Sequence, residues 1–81
     1  MNHDILREFR DAIPFTPFVL RMTDGRTFRV PHRDFMSISP ISRTVVVHLQ
    51  TGGLSVLNTM LIAEIEPDKV QQPTNSPSAD A

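Results

Sequence analysis

The period of the hydrophobic residues changes once, at Pro14-Phe15-Thr16-Pro17, and that change constrains the fold more than any other feature of the chain. Before it, Ile5, Leu6, Phe9 and Ile13 are spaced as one stripe of a helix, with Arg7, Glu8, Arg10 and Asp11 between them. Asn2 or Asp4 can cap the start, and Pro14 ends the helix because proline disfavours helical geometry at the residue before it. After Pro17 the period is two. Phe18, Leu20 and Met22 alternate with Val19, Arg21 and Thr23, Asp24-Gly25 marks a turn, and Phe28 and Val30 resume the alternation. A short amphipathic helix followed by a β-hairpin is therefore expected, with Phe9 and Phe15 sealing one onto the other.

The hairpin register follows from which residues must share a face. A two-residue loop would pair Met22 with Thr27 and mix apolar with polar. A three-residue loop of Asp24, Gly25 and Arg26 pairs Met22 with Phe28, Leu20 with Val30 and Arg21 with Arg29, and keeps the large apolar residues together. Beyond it, Pro31 breaks the ladder and bends the strand, and residues 33–38 run on to a turn at Ser39-Pro40-Ile41-Ser42. Arg43-Thr44-Val45-Val46-Val47-His48-Leu49 is the most β-prone run, Leu54-Ser55-Val56-Leu57 a further short strand, and Leu61–Glu66 the last. In that last strand Ile62 and Glu64 are expected opposite Leu61, Ala63 and Ile65. The expected fold is mostly β with an N-terminal helix, a small five-stranded bent antiparallel sheet or open barrel. Its expected core is Phe9, Phe18, Leu20, Met22, Phe28, Val30, Val45, Val47 and Ile65.

With 81 residues, one domain over residues 1–67 and a disordered polar tail over 68–81 are expected, since Pro73, Pro77 and a single large apolar residue, Val70, leave the tail nothing to bury. So small a core supplies only a few kcal/mol, and small domains add disulfides, metals or subunit contacts. There is no Cys, and the three His are scattered, so neither disulfide nor metal nor any cofactor is expected. That leaves subunit contacts. The N-terminus lacks the basic-then-apolar order of a secretory signal and no run approaches a membrane span, which together imply a soluble cytoplasmic protein. Seven Arg and seven acids balance within residues 1–66, which argues against a duplex-DNA binder.

The element order, together with Leu20-Arg21-Met22-Thr23-Asp24-Gly25, Asp34-Phe35 and Ile62-Ala63-Glu64-Ile65-Glu66-Pro67, resembles the Sm-like fold of bacterial RNA chaperones. Where those proteins carry Lys-His before the final strand, this chain has Asn58-Thr59-Met60. Pro14-Phe15-Thr16-Pro17-Phe18, Asp24-Gly25-Arg26, His32-Arg33-Asp34-Phe35 and the Val-rich strand also resemble a group of small uncharacterised bacterial proteins with an Sm-like (SH3-like barrel) fold. The resemblance implies a ring-forming β domain and, optionally, single-stranded RNA as a ligand.

Four arginines, Arg21, Arg26, Arg29 and Arg33, lie within thirteen residues. With Arg21 opposite Arg29, like charges face each other across strands and an anion between them is favoured, unless Asp34 or a helix acid neutralises both. Arg21, Arg29 and Arg33 are thus the expected anion or RNA contacts, with Phe35 as a stacking platform. His32 and Asp34 share a strand face without a nucleophile or metal partner, and the serines lack an elbow motif, so no catalytic residue is assigned and no enzyme is expected. The expected function is a non-enzymatic homo-oligomeric module with RNA as an optional partner, neither membrane nor small-molecule substrate being inferred. The alternative is an assembly module that binds no nucleic acid. In either case the Val-rich strand or the last strand is expected to pair with a neighbour's edge, because Val46 has no inner face left once Val45 and Val47 point inward.

Overall fold

In the computed structural model, which describes residues 1–68, helix α1 covers His3–Asp11. Asn2 caps it, its side chain accepting from the Asp4 backbone N–H at 2.6 Å. Leu6 is fully buried and Phe9 packs against the core, but Ile5 is 41% exposed and Ile13, beyond the helix, is 90% exposed. The expected stripe is thus narrower than its spacing suggested. Proline ends the helix early enough to leave Ile13 outside it.

Among the described residues six strands follow: β1 (Phe18–Met22), β2 (Thr27–Val30), β3 (Met36–Ile38), β4 (Thr44–His48), β5 (Leu54–Asn58) and β6 (Ile62–Pro67). They form two three-stranded antiparallel sheets, ordered β2-β1-β6 and β3-β4-β5. The mostly-β class with a leading helix is as expected; the count of five strands is not. A 3-10 turn at Arg33–Phe35 follows Pro31 and interrupts the extended chain, so the expected single bent strand divides into β2 and β3 in different sheets. A second 3-10 turn, Thr59–Leu61, carries the chain from β5 back to the first sheet, with Asn58 accepting from the Met60 N–H at 2.9 Å.

The hairpin keeps its expected three-residue loop but shifts it by one position. The loop is Thr23, Asp24 and Gly25, closed by Met22 N–H to Arg26 O at 2.7 Å and Gly25 N–H to Met22 O at 2.9 Å. Gly25, at φ +92°, takes the left-handed position that a side chain would strain. Leu20 therefore pairs with Phe28, and Phe18 with Val30. Arg21 stands opposite Thr27 and Arg29 opposite Val19, so the expected Arg21–Arg29 juxtaposition does not form.

The core consists of Leu6, Phe18, Leu20, Met22, Val30, Met36, Val45, Val47, Leu57 and Ile62. Phe9, Phe28 and Ile65, expected in it, are partly buried against it. Phe18 lies at the centre, with the Phe9 ring edge-on at 5.6 Å and Phe15 tilted at 5.8 Å. Ile62 and Ile65 both pack inward, contrary to a strict alternation. The β1–β6 register shifts between Arg21 and Met22, Leu20 pairing with Ile65 and Met22 with Ile62, so Ala63 is the extra residue of a bulge. Asp68, expected to begin the tail, is buried at the end of β6, its N–H donating to Pro17 O at 2.9 Å. The rest of the expected tail lies outside the described residues.

Candidate functional site

Two of the four arginines, Arg21 and Arg29, form ion pairs on the outer face of the first sheet. Arg21 projects from β1 beside β6, where the antiparallel register sets Glu64 directly opposite and Glu66 two residues on. Its Nε donates to Glu64 at 2.8 Å and one terminal nitrogen to Glu66 at 3.2 Å. Those hydrogen bonds, Glu66 first and Glu64 second, raise the guanidinium pKa above its ordinary value. Arg29, on β2, donates to the buried carboxylate of Asp68. The neutralising acids come from the last strand and the residue after it, where the sequence reading looked to Asp34 or a helix acid.

Arg26 closes on its own turn, its Nε 2.8 Å from Asp24 and its guanidinium 5.6 Å from the centre of the Phe28 ring. The Asp24 carboxylate also accepts from the Arg26 backbone N–H at 3.0 Å, and that bond is the largest cause holding its pKa below the usual value. Arg33 donates to Ala12 O at 3.0 Å and lies over the Phe15 ring at 5.6 Å, tying the 3-10 turn at Arg33–Phe35 to the end of the helix. Phe35 is half-buried against the core and faces the His32 ring at 5.8 Å. Arg21, Arg29, Arg33 and Phe35 are therefore dispersed: each is engaged by a different part of the domain, and they do not line one groove.

Other polar groups serve turns. Ser39 Oγ accepts from Ser42 N–H at 3.1 Å and lies 2.9 Å from Ser42 Oγ, holding the loop before β4. Among the described residues, no three His, Asp or Glu side chains converge as metal ligands. No helix among them is long and apolar enough to cross a membrane.

Among the described residues, four strands have an edge that pairs with no other strand, β2 and β6 in one sheet, β3 and β5 in the other. Exposed strand edges are templates for another chain, and proteins blunt them with charge, proline, bulges or brevity. β2 carries Arg29 and stops before Pro31, β6 carries Glu64, Glu66, Pro67 and the Ala63 bulge, and β3 is three residues long. β5, Leu54-Ser55-Val56-Leu57-Asn58, has none of these devices. Its outward side chains, Leu54 and Val56, are 56% and 63% exposed, and Val46 beside them is half-buried. Sequence reasoning pointed to the Val-rich strand or the last strand as the pairing edge. β4 is central and paired on both sides, and β5 was missed; its lack of charge is visible in the sequence, but its edge position is a property of the topology.

Comparison with known protein families, with curated proteins and with solved structures returned no match for this chain.

Proposed function

We propose that this domain is a non-catalytic assembly module that forms a homo-oligomer, with the β5 edge covered by another copy of the chain. The observation that carries the reading is the bare edge: five residues without charge, proline or bulge, where β2 and β6 carry such guards and β3 is only three residues long. The thin core adds to it, because a domain of this size without disulfides draws stability from subunit contacts. In this reading the two sheets form an open Sm-like or SH3-like arrangement, β6-β1-β2 continuing through the bend at Pro31 into β3-β4-β5. RNA binding ranks below assembly. Its motive was an uncompensated Arg21–Arg29 pair, and both guanidiniums have carboxylate partners within the domain. Sedimentation velocity at micromolar concentration is expected to give a multiple of the chain mass; a monomer would remove the proposal. A 260 to 280 nm absorbance ratio typical of nucleic acid, in protein prepared without nuclease, would restore the RNA reading.

A further inference from the structure

Resting on that assembly reading, we infer that the partner of β5 is the β5 of a second copy, paired antiparallel about a two-fold axis at Val56. The argument begins with ladder parity. In an antiparallel ladder, residues alternate between those bonded to the partner strand and those whose N–H and C=O point away from it. Between β4 and β5, Thr59 N–H donates to Arg43 O at 2.9 Å and Leu49 N–H to Gly53 O at 2.8 Å, on the same register that pairs Val45 with Leu57 and Val47 with Ser55. Ser55 and Leu57 therefore bond to β4. Leu54, Val56 and Asn58 turn their N–H and C=O groups to the open side. The other side of β4 agrees: Ser39 N–H donates to Thr44 O at 2.9 Å, so Thr44, Val46 and His48 face β3, opposite to the residues that face β5.

The same parity disqualifies the other candidate strand. Asp68 N–H donates to Pro17 O, so Glu64 and Glu66 bond to β1, and Ile65 and Pro67 face outward on β6. Pro67 has no N–H to give, and the bulge at Ala63 distorts the other end. A β5–β6 contact between copies would leave part of the β5 edge unmatched. A second β5 matches all of it: with Val56 opposite its symmetry mate and Leu54 opposite Asn58 of the other copy, all the outward N–H and C=O groups of the three residues meet a partner. The contact is isologous and closes at two copies. It also joins the exposed Leu54 and Val56 of both copies with Val46 into one apolar stripe across a six-stranded sheet.

The chain has no cysteine, so a single introduced thiol reports the register without interference. In a Val56→Cys variant the two thiols sit across a hydrogen-bonded pair, with Cα atoms about 5.5 Å apart, within disulfide range. In Leu54→Cys they are four residues out of register, about 13 Å apart. Under mild oxidation the full chain with Val56→Cys is expected to form a covalent dimer about tenfold faster than Leu54→Cys, a mixture of Leu54→Cys with Asn58→Cys also cross-linking. Native sedimentation is expected at twice the chain mass, falling to the chain mass in Val56→Lys with an unchanged circular dichroism spectrum. An oligomer that persists in folded Val56→Lys, or that cross-links no better through Val56 than through Leu54, overturns the two-fold pairing and leaves the assembly reading standing. A native monomer removes both.

Discussion

The two sheets have the same size and the same antiparallel ladder but opposite surface chemistry. The outer face of β2-β1-β6 is a lattice of Arg–carboxylate pairs, Arg21 with Glu64 and Glu66 and Arg29 with Asp68, and its edges carry charge or proline. The outer face of β3-β4-β5 centres on Val46, Leu54 and Val56, and one of its edges is bare. A sheet that satisfies its charges internally has little left to offer a ligand; one that leaves apolar side chains and backbone groups uncovered has an unmet demand. The difference moves the functional question from the arginines to β5.

The severest way to break the comparison is to remove what holds the first sheet to the helix. Phe18 is fully buried between Phe9 and Phe15, and Phe18→Ala is expected to cost about 3–5 kcal/mol, as large as the whole stability of so small a domain. Circular dichroism should show an unfolded chain at 25 °C. Retention of a cooperative melt would mean that the second sheet carries the core alone.

A smaller effect separates a buried ion pair from an exposed one. Arg29→Gln takes the Arg29 guanidinium away from the buried Asp68 carboxylate and is expected to destabilise by about 2 kcal/mol, read from urea unfolding. Had Arg29 stood opposite Arg21, as the sequence suggested, the same change would relieve a repulsion and give a slight gain. A gain would return the arginines to the role of anion receptors.

The elements were legible because each has a strong local period: the helix, the hairpin and the Val-rich strand stand where the pattern put them. The register was not, because a slip of two residues keeps every side chain on its face. Leu20 is as well placed opposite Phe28 as opposite Val30, and only the closing bonds of the Thr23-Asp24-Gly25 loop choose. Ile62 went to the wrong face because the Ala63 bulge is a tertiary event with no periodic signature. The partners of Arg21 were hidden by distance along the chain, 43 residues to Glu64, although the acids of Glu64-Ile65-Glu66 already alternate as a strand face would. Of the expected site, then, the residue types were readable and their neighbours were not.

Arg21→Gln is the counterpart to Arg29→Gln and sharpens the contrast. Both of its carboxylate partners are half or more exposed, so water replaces the lost bonds and salt screens what remains. The melting temperature should fall by a few degrees at low salt, less than for Arg29→Gln, and the difference should shrink in molar NaCl. A loss as large as that of Arg29→Gln, insensitive to salt, would show that the outer charge lattice is part of the scaffold.

The smallest effect expected is a dependence on pH at the hairpin turn. Asp24 has its pKa lowered in the folded state, first by the Arg26 backbone N–H and also by the Arg26 side chain, against the burial that raises it. A carboxyl with a depressed folded pKa binds its proton more readily in the unfolded chain. Its contribution is therefore present above the unfolded value near 3.8 and is lost as pH falls through the folded one. Asp24→Asn keeps an acceptor for the backbone N–H but removes the charge that Arg26 meets. The variant should melt slightly below the parent at neutral pH, and the gap should close progressively as pH falls from the unfolded value near 3.8 through the lower folded one, below which the parent's carboxylate is protonated too. Thermal melts of both proteins from neutral to strongly acid solution measure that gap directly. If it stays constant across the range, the charge of Asp24 contributes nothing and the turn is held by its hydrogen bond and by Gly25 alone.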